Sequence, residues 1–359
     1  MTNHHNKEIM DCVEKMKADI KGMDSSEIEE WVAGMGLEAY RGRQIRHWLL
    51  KRLASSFDDM TDIRKPLRLL LKEKANIELL EKIKVLVSED GTEKYLFRLP
   101  DGILIESVLI HEKDHSTLCI SSQAGCSMGC RFCLTAKQGL KRNLTSSEII
   151  EQVIQVKRCI KEPERLTNIV LMGMGEPLAN YSSVLKAVGN MISPDGMNFS
   201  HRKITLSTCG LVPELIKLGQ DITINIAVSL NAADDETRSY LMPVNRKYPL
   251  SSLLETCRYI PLPNRRMITF EYILINGIND RDRDAKNLCR LLSNMRAKIN
   301  LIPLNASPAS DLSPPPMEKI LHFQQILLEN NFTAIIRKSK GRDILAACGQ
   351  LAAQNGDDK

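Results

Sequence analysis

Cys126, Cys130 and Cys133 form a C-x3-C-x2-C run inside SSQAGCSMGCRFC, and no other feature restricts the chain so sharply. A short loop with that spacing turns three thiolates onto one metal centre, and soft sulfur ligands select iron–sulfur clusters or zinc over hard cations. The count of three matters as much as the spacing. Three sulfurs hold three irons of a [4Fe–4S] cube and leave the fourth open to a ligand, whereas structural zinc is closed by four Cys or His ligands. No further C-x2-C pair stands elsewhere to complete a zinc site.

The 359 residues, 43% hydrophobic, can bury a large core with a smaller domain beside it. The start, MTNHHNKEIM, lacks a secretory segment and no apolar run approaches membrane-spanning length, so ten cysteines read as reduced thiols in the cytoplasm. A net charge of +5, from 49 basic and 44 acidic residues, permits a nucleic-acid partner without demanding one. Cys12, Cys159, Cys257 and Cys289 fall in helical patterns among apolar residues, where packing is their expected role. Cys209, in STCG, has no motif of its own.

Taken in order, the first 80 residues read as helices over Glu8–Ile20, Ser25–Met35, Gly42–Leu53 and Pro66–Leu80. The third of these carries Arg41, Arg43, Arg46, His47, Lys51 and Arg52 with Tyr40 and Trp48 interleaved. That mixture suits a surface gripping phosphates and bases, and equally an amphipathic helix with its charges in solvent. From Ile83 the period becomes two: KYLFRL and ILIESVLI flank Pro100-Asp101-Gly102, a β-hairpin in which Glu106 is expected on the solvent face. From Thr117 to Lys338 strands and helices alternate, which implies a parallel sheet whose chemistry gathers at the strands' C-terminal ends. Gly173-Met174-Gly175-Glu176-Pro177, Ser207, Ser229-Leu230-Asn231 and Asn305 all fall at such ends. No G-x-G-x-x-G with a following acid supports a dinucleotide fold instead.

The C-x3-C-x2-C loop resembles that of the radical S-adenosylmethionine (SAM) enzymes. With GLKRNLTSSEII, MGMGEPLAN, KITLSTCG, NLIPLN and AACGQLA in register from Trp31 to Ala353, the chain is similar to the RNA adenine-C2 methyltransferases that act on 23S rRNA and tRNA. The resemblance implies an α/β fold: a partial (β/α)6 barrel over 113–345, a helical RNA-recognition domain over 1–82, a hairpin over 83–112, and a C-terminal segment over 346–359. It implies a [4Fe–4S] cluster on Cys126, Cys130 and Cys133, and SAM held by Gly175, Glu176, Ser207, Ser229, Leu230, Asn231 and Asn305. Relatives carry His where Asn231 stands.

The resemblance also implies the chemistry. Cys348 is methylated by one SAM; a radical from a second SAM takes hydrogen from that methyl, which adds to the adenine carbon as a covalent protein–RNA adduct. Cys119, with Glu106 as proton acceptor, then helps remove the C2 proton, leaving a Cys119–Cys348 disulfide to be reduced. A flavodoxin-type electron donor and a monomeric, cytoplasmic enzyme are implied with it. Arg131, Lys137, Lys141 and Arg142 beside the cluster loop, and Arg337, Lys338, Lys340 and Arg342 beside Cys348, are candidates to draw in the RNA backbone. Two other activities fit parts of the sequence: methylation of carbon 8 of the same rRNA adenine, and a non-catalytic metal-containing RNA-binding module.

Overall fold

The computed structural model describes residues 17–77, 80–305 and 311–352. Cys12 and most of the helix expected over Glu8–Ile20 lie outside them, as does the C-terminal segment beyond Ala352. The end of that expected helix is instead a short strand, β1 (Ala18–Asp19), pairing in parallel with β2 (Ala75–Asn76). Between them lie α1 (Ser25–Ala33), α2 (Tyr40–Leu50) and α3 (Lys65–Lys74). The fourth expected helix, Pro66–Leu80, corresponds to α3, which stops at Lys74.

The expected hairpin is a three-stranded antiparallel extension of β3 (Glu81–Val87), β4 (Glu93–Arg98) and β5 (Leu104–His111). The Pro100-Asp101-Gly102 turn closes it, with Gly102 N–H donating to Leu99 O at 2.8 Å. The additional strand β3 spans Ile83, where the period of two begins, and its pairing shifts register between Lys82 and Lys84.

Antiparallel pairing of β5 with β6 (Ser116–Cys119) makes the extension continuous with the main sheet. After β6 come β7 (Gln123–Gly125), α4 (Leu134–Lys137) and β8 (Leu140–Asn143), then α5 (Ser146–Cys159) and β9 (Leu166–Leu171). The alternation continues through α6 (Tyr181–Ile192), β10 (Ile204–Thr208), α7 (Val212–Asp221), β11 (Asn225–Ser229), α8 (Asp235–Leu241) and α9 (Leu250–Tyr259). It ends with β12 (Ile268–Leu274), α10 (Asp282–Leu291), β13 (Ala297–Pro303), α11 (Met317–Glu329) and β14 (Thr333–Ile336).

Strands β6, β9, β10, β11, β12, β13 and β14 run parallel in that order, joined by six helical crossovers. Burial on both faces explains the unbroken apolar runs: Ile226, Ala227 and Val228 of β11 are all buried. The ten-stranded sheet has β14 and β3 as its edges and they do not pair, so the barrel is partial. A capping box starts α5, with Thr145 Oγ1 accepting from Glu148 N at 3.1 Å and Glu148 Oε2 accepting from Thr145 N at 2.9 Å.

The N-terminal module docks on α5 and α6 through polar as well as apolar contacts. Lys21, 1% exposed, pairs with Glu151 of α5, and Ser147 of the same helix donates to Asp19. Arg46 is 2% exposed and bonds Met23 O at 2.8 Å and Asp195 at 3.2 Å. Among the described residues no helix is long and apolar enough to cross a membrane.

Two sequence expectations need correction. Glu106 is buried, not solvent-facing, because the C-terminal segment covers its face of β5. Cys159 is exposed, not packed: it is the last residue of α5, where Lys82 Nζ lies 3.1 Å from its sulfur.

Candidate active site

A cavity of about 150 Å³ opens at the C-terminal ends of the parallel strands. Cys126, Cys130 and Cys133 form one wall; Gly175, Glu176, Ser207, Ser229, Asn231 and Glu271 line the strand ends; Cys348 closes the remaining side. Larger surface depressions of about 760 and 870 Å³ lie beside α6 and α10, but no comparable group of thiols and carboxylates converges in them.

Local chain geometry presents the three thiols. The antiparallel pair β7/β8 brackets their loop, and Cys126 N–H donates to Gly139 O at 3.0 Å. Gly125 has φ +81° there, and a Cβ would meet Gly139 O at 1.9 Å, so only glycine allows the crossing. Burial pushes the Cys126 thiol up to about 11 and raises Cys130 further, the neighbouring cysteines adding to both shifts. Two thiols so buried, Cys126 and Cys130, become thiolates together only if a cationic centre compensates them. Among the described residues no three His, Cys, Asp or Glu side chains form a cage for a single ion. Three thiols on one cavity wall are a soft-sulfur donor set of the kind that would hold an iron–sulfur cluster.

The opposite wall is welded to this loop. Met174 O accepts from Ser122 N at 2.9 Å, and Gln123 Oε1 accepts from Glu176 N at 2.8 Å. Gly175, φ +102°, leaves no room for a Cβ, which would fall 2.5 Å from Gln123 Cβ. Glu176, 4% exposed, accepts from Cys209 N at 2.8 Å and Leu178 N at 3.0 Å. Burial raises its pKa, against those hydrogen bonds. The Glu176 carboxyl is therefore held in place and short of a cationic partner, which suits capture of an ammonium group. Asn231, φ +57°, points its Oδ1 at Ile273 N, 2.8 Å away.

Leu230 and Asn305 do not line the cavity. Leu230 is fully buried, with its carbonyl accepting from Arg238 at 3.1 Å. Asn305 donates to Cys348 O at 3.1 Å and accepts from Arg342 Nε at 3.2 Å, holding the chain that carries the thiol.

Cys348, though some 200 residues from the cluster loop in sequence, shares its cavity. Gly349 O accepts from Leu134 N at 2.7 Å, and Leu351 O from Thr135 Oγ1 at 2.7 Å. The residue is exposed by surface area, yet protein surrounds its sulfur on the cavity side, and this desolvation, with Glu271 nearby, pushes the thiol up to about 11. Cys119, at the end of β6, is 9% exposed; burial first, and the Cys348 sulfur second, raise its pKa. Both are free thiols. Glu106 is engaged by other partners: Lys94 Nζ lies 3.0 Å from one oxygen and Ala352 N donates to the other at 2.9 Å.

Glu271 is the site residue that sequence reasoning missed. It accepts from Ser207 Oγ at 2.8 Å, burial raises its pKa, and it is the carboxylate acting on both Cys348 and Cys119. Its signal was an acid inside the apolar strand ITFEYIL, of the kind that also marks Glu106.

Several expected RNA contacts are already engaged. Arg142 pairs with Glu148 at 2.7 Å and Asp101 at 2.5 Å, and Arg131 lies 4.1 Å over the Tyr240 ring. On α2, Arg46 and Trp48 are buried, and Trp48 Nε1 donates to Asp62 at 2.6 Å. Tyr40, Arg43, His47, Lys51 and Arg52 remain exposed.

The geometry has counterparts in known proteins. Residues 120–289 match the Radical SAM superfamily model, and residues 18–77 match the Ribosomal RNA large subunit methyltransferase N-terminal domain. A dual-specificity RNA methyltransferase RlmN of Syntrophus aciditrophicus is 52% identical over 96% of this chain and 99% of its own length. One of Geobacter sulfurreducens is 54% identical over 93% of this chain and 91% of its own. The crystal structure of a radical SAM methyltransferase from Sphaerobacter thermophilus superposes with a TM-score of 0.90 at 44% identity, covering 94% of this chain and 99% of that one.

Proposed function

The chain belongs to the family of dual-specificity RNA methyltransferases RlmN within the radical SAM superfamily, and from that membership we infer that it methylates carbon 2 of adenine in 23S rRNA and in tRNA. The targets are an adenine near the peptidyl transferase centre and the adenine 3′ to the anticodon. Its cofactors are a [4Fe–4S] cluster and SAM.

Carbon 2 of adenine is an electron-poor aromatic C–H that does not attack a methylsulfonium as a nucleophile. When bound, the cluster and SAM supply the one-electron chemistry that such a carbon requires. The observation that carries the reading is that the Cys348 thiol lines the same cavity as Cys126, Cys130 and Cys133.

On the chain's side, the three clustered cysteines hold the cluster and Glu176 receives the SAM ammonium. Gly175 leaves room for the ligand's approach, while Ser207, Ser229 and Asn231 bind its polar edges. Leu230 and Asn305 act through the backbone and through the Cys348 segment. Cys348 is the methyl carrier; it must first lose a proton that desolvation makes hard to lose, and Glu271 is the carboxylate beside it. Cys119, on which the Cys348 sulfur acts electrostatically, helps discharge the adduct, leaving a disulfide that a thiol reductant reopens. Glu106 takes up the C2 proton only after Ala352 releases its oxygen. We place the enzyme in the cytoplasm as a monomer, with a flavodoxin-type protein donating single electrons.

The test is anaerobic assay of the reconstituted enzyme on 23S rRNA fragments and tRNA, with mass analysis of the nucleosides. 2-Methyladenosine is expected from the native chain and none from Cys348→Ala, whose iron content should be unchanged. Production of 8-methyladenosine, or methylation by Cys348→Ala, would overturn the assignment.

A further inference from the structure

Arg238 of α8 is a cation with 0% exposure and no carboxylate partner among the described ion pairs. Its guanidinium donates to Cys209 O at 2.8 Å, Asn245 Oδ1 at 2.9 Å, Leu230 O at 3.1 Å and Ser229 O at 3.2 Å. Every one of these acceptors is neutral. They satisfy the N–H groups without cancelling the charge, and an arginine does not relieve the strain by deprotonating at ordinary pH. Leaving such a charge buried alone is strongly unfavourable. Cys130 packs against the small apolar cluster of Cys209, Leu241 and Met242 beside Arg238, and the groups around the guanidinium able to bear negative charge are the thiols of Cys209 and Cys130, then Asp235, which Asn245 bridges to it, and Cys257. The buried Glu176 carboxylate bonds Cys209 N–H instead.

We propose that Arg238 is the fixed counter-charge of the iron–sulfur cluster, set behind Cys130 to stabilise its thiolate and to raise the cluster's reduction potential. The inference rests on the assignment of Cys126, Cys130 and Cys133 as cluster ligands. Three thiolates on the oxidised core leave about one net negative charge, and uptake of one electron from the donor, with no proton, adds another. A fixed cation in a low-dielectric wall therefore favours the reduced form over the oxidised one. Arg238 touches no substrate atom, so it is a positioning residue. Three of its four bonds also clamp the carbonyls that end β10 and β11, which a merely structural role would equally explain; the potential separates the two.

The experiment is a redox titration of the reconstituted cluster, followed by its electron paramagnetic resonance signal, with iron and sulfide measured in parallel. Arg238→Gln keeps a donor and removes the charge; at a fixed potential the ratio of oxidised to reduced cluster should rise about tenfold or more, a downward shift of about 59 mV. Arg238→Lys keeps the charge and should stay near the native potential despite losing bonds. Asn245→Asp leaves Arg238 in place but puts a carboxylate against it; this variant should shift like Arg238→Gln and carries the test if Arg238→Gln does not fold. Equal potentials in the Lys and Gln variants, or a native potential in Asn245→Asp with iron retained, overturn the proposal alone. Failure of the native chain to load a cluster overturns the ligand assignment and the proposal with it.

Discussion

The Cys348 sulfur combines access with reluctance to ionise, and the two can be measured together. In the cluster-free protein its alkylation by iodoacetamide, followed by mass spectrometry, should climb about tenfold per pH unit and level off only near pH 11, where the thiol titrates. A plateau already reached by pH 9 would contradict that environment. Glu271 contributes to the shift through its charge. Glu271→Gln should therefore move the alkylation midpoint below that of the native protein.

At the scale of elements, two joints determine whether the cavity exists. The first holds the C-terminal segment: Glu106 to Ala352 N, Lys94 Nζ to Leu345 O at 3.4 Å, and Ser88 Oγ to Asp343 at 2.5 Å. Lys94 and Glu106 are both nearly inaccessible, so Glu106→Ala strands a buried ammonium and should cost about 3–5 kcal/mol. The expected result is faster proteolysis after Ile336 with the barrel intact; a cleavage rate equal to native would show that the segment does not depend on this joint. The second joint is Lys21 to Glu151, with both side chains fully buried. Lys21→Met should destabilise the fold by a similar amount, about 3–5 kcal/mol, read as a lower midpoint in denaturant.

For the whole molecule, thiol burial makes stability depend on pH. Cys126 and Cys348 titrate near 11 in the folded chain and near 9 as ordinary thiols. Between those values the unfolded chain has released protons that the native one keeps, so the slope of stability against pH is negative. The melting temperature of the cluster-free protein should fall as pH rises from 9 to 11, and cluster loading should flatten the fall because Cys126 is then ligated at all pH values. A flat profile in the cluster-free form would refute the burial argument. A net charge of +5 spread over 49 basic and 44 acidic residues is too even to hold RNA by bulk attraction. RNA affinity should thus depend on local groups such as Lys51 and Arg52, and Lys51→Ala with Arg52→Ala should lower the steepness of its salt dependence by about one to two.

The sequence by itself determined the strand–helix alternation, the cluster loop and the glycine-bearing turn before Glu176, because each is written in local spacing and apolar period. It carried Cys348 only as a resemblance, since nothing near that residue says that a loop some 200 positions away will be its neighbour. Tertiary structure alone decided the rest. Glu106 looked like a solvent-face acid until the C-terminal segment covered it, and nothing in the local sequence DETRSYL marks Arg238 as the residue that two strand ends bury. The physical reason is shared: a charge's role depends on what desolvates it and what faces it, and those partners come from distant parts of the chain, beyond the reach of any local pattern.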